Sequence, residues 1–296
     1  MQIAKRVYSL AQEQNNSALM IGACRALAGT LYFMGDFETA RHDAMHALQI
    51  WRSGGVRYQV EEVFAPAITS LCYEAMVEWH FGEIASSHAT MAEAISLAKE
   101  LNDMYGLAVA LNVATALGHM ERNLADVERY SSDLIELSTR HHFALWIATG
   151  AVYRGWARCA SGQTSDGISC IEDGIRNYRA TGAVLDMPHL LTLKAEALFL
   201  ADRTSEALEA LSEAEALAER FEQSLWCAEL HRLRGVCQAA MGAGEAQIEA
   251  SYCAAIRIAM EEKSVSLQKR AEATYAEYRR QKASASGGRG FQLPLR

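Results

Sequence analysis

One small residue recurs at a fixed spacing along most of this chain. From the second member onward, successive members lie 40 residues apart, and the first gap is 47 residues. The six positions are Ala28, Ala75, Thr115, Gly155, Ala195 and Gly235. A small residue at such a period marks a stacked array of two-helix units, because closely packed helices leave no room there for a large side chain. The register therefore predicts an all-α solenoid of six helical hairpins, with one flanking helix at each end.

A second set of residues in the same register predicts the turn inside each unit. Its members follow the small positions by seven residues and are Gly35, Gly82, Arg122, Gly162, Asp202 and Gly242. Glycine suits the C-terminus of a helix because it adopts a positive φ without a Cβ clash. The second helices are then predicted over 37–51, 84–101, 125–140, 165–180, 204–219 and 245–262. Ser53-Gly54-Gly55 marks a longer loop that accounts for the first gap.

Composition agrees with a helical fold and argues against several classes of function. The 296 residues include only 3 prolines, and half of all residues are hydrophobic. No uncharged stretch of about 18 residues is present, and the N-terminal residues do not follow the signal-peptide pattern, so we expect no membrane association. The net charge of −8 argues against a nucleic-acid surface. The 7 cysteines form no C-x-x-C pair, which is typical of reduced thiols in a cytoplasmic protein.

The segment from Leu27 to Leu48 resembles the tetratricopeptide repeat, through Leu27-Ala28, Leu31, Met34-Gly35-Asp36-Phe37, Ala40 and Ala47-Leu48. The 40-residue period exceeds the usual spacing of about 34. Residues 145–183 and 228–235 are similar to the C-terminal repeats of bacterial signalling ATPases and class III adenylate cyclase-linked regulators. The resemblance covers about residues 1–276. It implies a right-handed superhelix with a regulatory or protein-interaction role.

Proteins of that kind carry a nucleotide-binding domain ahead of the repeats, but this chain has no G-x-x-x-x-G-K-[ST] motif. Gly150 and Gly155 have the glycine spacing, yet Trp156 follows them in place of the lysine that binds phosphate. Residues 2–13 resemble a second helix without its partner, and residues 266–283 resemble the first helix of a seventh unit, with Ala276 near the small position. We expect one repeat domain over 1–283, a flexible tail over 284–296, and a larger parent protein or a docking partner.

In tetratricopeptide arrays, defined positions of the first helices line the concave groove. In this chain those positions combine aromatic, methionine and polar residues, with an arginine at each end, which suits a peptide or an amphipathic ligand. The candidate binding surface consists of Arg25, Tyr32, Met76, Trp79, Asn112, His119, Trp156, His189, Phe199 and Arg232. The competing interpretation is that several of these residues only pack between neighbouring helices.

Two further patterns point more weakly to function. His42 and His46 have the one-turn spacing of metal-binding pairs, but no third ligand is evident, so solvated histidines are favoured over a metal site. Arg154, Lys194 and Arg234 follow the 40-residue register, and pairing with glutamates of adjacent helices is favoured over binding an acidic peptide or phosphate. Serine, cysteine and histidine form no catalytic constellation, and we expect no cofactor.

Together these patterns predict a cytoplasmic, non-catalytic interaction module. Its expected partner is a protein or peptide, including an N-terminal ATPase or cyclase domain of a parent protein. The alternative is a small-molecule sensor whose concave groove holds a metabolite. A long open groove would favour the first hypothesis, whereas a deep pocket confined to one or two units would favour the second. An enzyme in its own right is the least favoured interpretation.

Overall fold

The computed structural model describes residues 2–53 and 65–285. In these residues the chain forms fourteen α-helices and no β-strand, which confirms the all-α, tetratricopeptide-like solenoid. The predicted loop at Gly54 and Gly55, and most of the predicted tail, lie outside the described residues. After the flanking helix α1 (Gln2–Glu13), the six hairpins are α2 (Ser17–Phe33) with α3 (Phe37–Arg52), α4 (Pro66–His80) with α5 (Ile84–Glu100), α6 (Met104–Met120) with α7 (Leu124–His141), α8 (Ala144–Ala160) with α9 (Thr164–Ala180), α10 (Met187–Leu200) with α11 (Thr204–Arg220), and α12 (Cys227–Ala240) with α13 (Glu245–Glu261), followed by α14 (Val265–Ala285).

The recurring small residues are explained by contacts between the two helices of one unit. All six are buried. A Cβ atom added to Gly155 would stand 2.7 Å from the carbonyl oxygen of Gly167 in α9, and one added to Gly235 would stand 2.8 Å from the ring of Tyr252 in α13. The first helix therefore approaches its partner so closely that only a small side chain fits.

Residues with a positive φ follow the first helix and the second helix of the units. The six residues predicted for the inner turns all have positive φ, between 58° at Asp202 and 91° at Gly162. The second helices end on another such set, which the sequence analysis missed: Asn102, His142, Gly182, Glu222 and Lys263, with Asn15 after α1. Only one residue of this second set is a glycine, so residue type gave little signal for these turns.

The two flanking helices differ in which of their residues are buried by neighbouring helices. α1 packs through Ala4 and Ala11 and leaves Ile3 81 % exposed. In α14, Ala276 stands thirteen residues after Lys263, as Gly235 does after Glu222, so it keeps the register of the small position. Ala276 is nevertheless exposed, because the described part of the chain contains no later helix that could pack against it.

The last turns of the solenoid return to its first units and close the superhelix. The Ser224 hydroxyl donates to the Met34 carbonyl oxygen at 2.7 Å, and the Ser266 hydroxyl donates to the Trp79 carbonyl oxygen at 2.5 Å. The His80 ring Nδ1 lies 2.8 Å from the Ser264 hydroxyl. These contacts join the turn before α12 to the first unit, and join α14 and the turn before it to α4. The inner faces of the first helices therefore enclose an interior. Within the described ranges, no helix has the length and apolar character needed to cross a bilayer.

Candidate binding surface inside the superhelix

All ten residues of the predicted groove lie on first helices, but most of them are covered. Arg25, Asn112 and Phe199 keep partial exposure. The other seven are buried: Tyr32, Met76, Trp79, His119, Trp156, His189 and Arg232. Closure of the superhelix thus converts much of the predicted groove into an interior. Binding by these ten residues stays a prediction.

A charged cluster lies between α6, α10, α12 and α14 and is centred on Glu229. The Glu229 carboxylate accepts hydrogen bonds from Arg232 at 2.7 and 2.8 Å and from Arg122 at 3.0 Å. The Arg270 guanidinium lies 3.7 Å away. Burial raises the pKa of Glu229, but the charges of Arg232, Arg270 and Arg122 outweigh it and hold that pKa well below its usual range. The carboxylate is therefore ionised and fully compensated.

The same arginines reach further groups of the interior. Arg122 donates to Glu196 at 2.6 Å, and Arg270 donates to the Met120 carbonyl oxygen. His119 Nε2 lies 3.5 Å from Glu196, while burial lowers the histidine's pKa and keeps the ring neutral. The sequence analysis selected His119 and Arg232 but missed Glu229 and Arg270. A signal for Glu229 existed, since it stands three residues before Arg232 on the same helix face.

Both predicted tryptophans lie against the charged cluster. Trp156 meets the His119 ring edge-on at a centroid distance of 4.6 Å, and the Arg122 guanidinium lies 5.7 Å from its ring centroid. Arg270 lies 5.6 Å from the ring centroid of Trp79. Both indoles therefore contact charged side chains of the interior.

A second acidic group, Asp186, lies at the start of α10. It is half-buried, and its backbone N–H donates to the Tyr178 hydroxyl at 3.1 Å. Burial raises the pKa of its carboxyl to about 6. Burial is also the largest cause of the raised pKa values of Tyr32, Tyr73 and Tyr153, and the Asp186 charge adds to all three. None of the described residues forms a salt bridge with Asp186, in contrast to the arginines around Glu229.

Five predicted groove residues carry polar atoms that lack a hydrogen-bond partner among the described residues. These atoms are the Tyr32 hydroxyl, Asn112 Oδ1, His119 Nδ1, Trp156 Nε1 and His189 Nδ1. The other ring nitrogen of His189 lies 3.0 Å from the Tyr153 hydroxyl, and the His189 ring stacks on Trp226 with centroids 3.7 Å apart. Buried polar atoms normally find partners, so these atoms are available to a bound ligand or to water.

The weaker sequence patterns have ordinary structural roles. The His42 side chain is 77 % exposed, and in the described ranges no three His, Cys, Asp or Glu side chains are grouped as a metal would require. The predicted pairing with glutamates is confirmed for Lys194, at 3.3 Å from Glu172, and for Arg234, at 2.7 Å from Glu215.

A cleft of ≈ 530 Å³ opens between α11, α12 and α13. It contains none of the ten predicted groove residues. Its lining consists of Leu208, Ser212, Arg234, Gln238, Met241, Ala243 and Gln247. This cleft is therefore separate from the interior surface on which the metabolite-sensor alternative depends.

Comparison with known proteins supports the fold and leaves the biological role open. The family model for anaphase-promoting complex subunit 5 matches residues 56–121, a minor part of the chain. An uncharacterized protein of Rhizobium meliloti, R02095, is 24% identical over 197 residues, which are 67% of this chain and 19% of that protein. The chain thus spans about a fifth of the length of this curated relative.

Two solved structures share the architecture. The Rap conjugation gene regulator of plasmid pLS20, in complex with the Phr* peptide, aligns with a TM-score of 0.63 at 11% identity, covering 95% of this chain and 80% of that one. PlcR of Bacillus thuringiensis, in complex with the peptide PapR7 and DNA, aligns with a TM-score of 0.52 at 14% identity, covering 80% of this chain and 83% of that one. At these identities the likeness concerns the fold, and the chain is a tetratricopeptide-like helical solenoid.

Proposed function

We propose that this chain is a non-catalytic regulatory module that binds a peptide segment of a partner protein inside its superhelix. The observation that carries the proposal is a set of buried polar atoms for which the described residues supply no partner, on Tyr32, Asn112, His119, Trp156 and His189. A peptide backbone or polar side chain can satisfy such atoms. The similar Rap and PlcR structures each hold a peptide, which supports the same class of ligand for this fold.

The proposed setting is the regulatory end of a cytoplasmic signalling ATPase or adenylate cyclase-type regulator. The resemblance of residues 145–183 to such repeats supports it, as does the greater length of the Rhizobium meliloti relative. The partner would then be the ATPase or cyclase domain of the parent protein. Sequencing the DNA upstream of the Met1 codon tests this setting. An in-frame coding region with a P-loop is expected, and a reading frame without one would overturn the setting while leaving peptide binding intact.

Peptide binding is tested by selecting a random phage-displayed peptide library on the full chain. Fluorescence anisotropy then measures the affinity of the selected sequences as synthetic peptides. Asn112→Ala and Arg25→Ala should weaken binding by about tenfold, because both side chains belong to the predicted binding surface and keep partial exposure. Lys99→Ala, an exposed change on α5, is the matched control and should bind normally. Failure to enrich any peptide, or unchanged affinity in Asn112→Ala, would contradict the proposal.

A further inference from the structure

We propose that protonation of the Glu262 carboxylate controls the opening of the superhelix. The uncharged carboxyl group fits the contact between the first and the last units, and the ionised carboxylate favours their separation. We call this contact the closing seam. It consists of the hydrogen bonds that Ser224, Ser264 and Ser266 form with the first two units, together with the Glu262 side chain. The inference goes beyond the proposed function, because it concerns a change in the shape of the chain itself.

The first step is that Glu262 lies where the two ends of the solenoid meet. Glu262 follows α13 and is 9 % exposed. A Cβ atom added to Gly35, in the turn of the first hairpin, would stand 2.5 Å from the Glu262 Oε1 atom. The Ser224 hydroxyl lies against the same glycine and donates to the Met34 carbonyl oxygen at 2.7 Å. Separation of the first unit from the last would therefore expose the Glu262 carboxylate to water.

The second step is that the seam does not compensate a charge on Glu262. Neither carboxylate oxygen has a hydrogen-bond partner among the described residues. The adjacent cation, Lys263, pairs with Glu38 of α3 at 2.5 Å. The hydroxyl hydrogen of Ser224 is taken up by Met34. An ionised carboxylate at this place is costly because it is desolvated and unpaired, whereas the protonated carboxyl group carries no charge to desolvate.

The other titratable and charged groups that border the seam do not favour a further negative charge. They are Tyr32, Asp36 and Glu38 of the first unit, His80 of the second unit, Glu222 and Cys227 on either side of Ser224, and Glu261 and Lys263 next to Glu262. Four members of this set are carboxylates, and one, Lys263, is a cation. The excess of negative charge therefore acts against ionisation of Glu262 while the seam is closed.

The pH range of the effect follows from the pKa values of Glu262 and His80. Burial raises the pKa of Glu262 from its ordinary value of 4.5 to about 8. The proton's contribution to closure is therefore fully present below pH 4.5 and is lost as the pH rises to about 8. His80 acts in the opposite sense, because burial lowers its pKa from 6.5 to about 3, so its contribution to closure is fully present above pH 6.5. A change from pH 6.5 to pH 8.5 thus tests Glu262 without His80.

Opening of the seam would uncover side chains of the interior. Tyr32, Trp79 and four further first-helix residues of the predicted groove are buried together with Arg232 while the seam is closed. A ligand that contacts these residues therefore requires an open seam. Rising pH should favour opening and, with it, the entry of such a ligand.

Two backbone hydrogen bonds across the seam provide a direct measure of opening. The N–H groups of Ser224 and Leu225 donate to the Phe33 carbonyl oxygen at 3.0 and 3.4 Å. Hydrogen–deuterium exchange of these two amides, measured at pH 6.5 and 8.5 and divided by the intrinsic exchange rates, gives the opening constant. Amides within α8 report global unfolding and serve as the internal reference. The full chain is compared with Glu262→Gln and with Glu209→Gln, an exposed change on α11 that provides the matched control.

We expect the opening constant of the original chain to rise at least about fivefold between pH 6.5 and pH 8.5, because the closed form loses its stabilisation by the proton over this range. Glu209→Gln should show the same rise, whereas Glu262→Gln should change by less than about twofold. Ser224→Ala should open more readily at both pH values and keep the rise, because it removes one hydrogen bond of the seam and keeps the carboxyl group.

Three outcomes would overturn the inference. They are an opening constant of the original chain that does not change with pH, a rise that survives in Glu262→Gln, and an equal rise at the amides of α8. The first and the third require no variant. Peptide binding is tested separately from the seam. A pH-dependent seam in a chain that enriches no peptide would support this inference and contradict the proposed function, and peptide binding by a chain whose seam does not respond to pH would do the reverse.

Discussion

Two carboxylates in the same superhelix have opposite surroundings. Glu229 is contacted by Arg232 and Arg122, with Arg270 close by, and these charges hold its pKa well below the usual range. Asp186 has no salt-bridge partner among the described residues, and burial raises its pKa to about 6. The first carboxylate joins α6, α12 and α14 across the interior, so its charge serves the closure of the superhelix. The second carries a charge that the described residues leave uncompensated.

The two carboxylates differ in one property, the compensation of their charge: Glu229 is paired with arginines, whereas Asp186 has no counter-charge among the described residues. A compensated charge is costly to remove because its partners lose their counter-charge. An uncompensated charge is costly to keep, so its presence suggests a role beyond folding. Mutations at the two positions should therefore change stability in opposite directions.

The largest expected effect is the loss of folding stability caused by Glu229→Gln. It leaves Arg232, 4 % exposed, without its counter-charge, and such losses cost about 3–5 kcal/mol. Urea unfolding followed by circular dichroism measures the change. Glu213→Gln, which interrupts an exposed ion pair to Arg179, is the matched control. If Glu229→Gln lowers the free energy of unfolding by less than about 1 kcal/mol, the cluster does not clamp the interior.

The second largest expected effect is a gain in folding stability. Asp186→Asn should stabilise the unliganded protein by about 1–2 kcal/mol at pH 7, less than the full pKa shift implies, because the half-buried side chain keeps contact with solvent. The same urea titration measures it, with Asp133→Asn, an exposed change on α7, as the control. Destabilisation by Asp186→Asn would mean that the carboxylate has a structural partner, and the comparison with Glu229 would fail.

The pH dependence of this stabilisation sharpens the comparison. The Asp186 carboxyl has its ordinary pKa of 3.8 in the unfolded chain and about 6 in the folded one, so the folded chain binds more protons between these values. The carboxyl's contribution to stability is therefore fully present below pH 3.8 and is lost as the pH rises to about 6. The stability gap between Asp186→Asn and the original chain should grow from pH 4 to pH 6 and then level off. A constant gap would contradict the assigned burial.

The smallest expected effect is at an exposed pair on the second helices. Arg179→Ala removes the hydrogen-bonded ion pair with Glu213 at 2.5 Å, yet both side chains are about half exposed. Such pairs contribute about 0.2–1 kcal/mol, and the contribution falls with salt. Thermal unfolding at low and high ionic strength measures the change. A loss as large as that of Glu229→Gln would show that burial is not what distinguishes the clamp.

The architecture was predictable from the sequence because local packing imposes it. Gly155 and Gly235 meet their partner helices too closely for a larger side chain, and Gly35 and Gly162 occupy left-handed turns, so both constraints appear as residue types at a fixed period. The second helices begin and end within two residues of their predicted bounds. The turns after the second helices were missed because residues such as Glu222 and Lys263 adopt a positive φ there without a glycine.

The interior surface was only partly predictable. The sequence placed ten residues on first helices correctly, but their burial depends on how far the superhelix closes. That closure rests on contacts such as the one between Ser224 and Met34, which are 190 positions apart and leave no local pattern. Asp186 was missed for a related reason, since an aspartate before a helix is ordinarily explained as a cap.

The contact between Ser224 and Met34 also affects how the molecule should unfold. In an open repeat array each unit contacts only its neighbours, so the ends can unravel while the middle stays folded. Here the first unit is tied to the turn before the last hairpin, and the second unit is tied to α14. Neither the first hairpin nor the last can unravel without breaking these contacts, so we expect the closed part of the described solenoid to unfold as a single cooperative unit. Its folding must also bring together segments separated by most of the chain, and such long-range closure slows folding compared with an open array of the same helices.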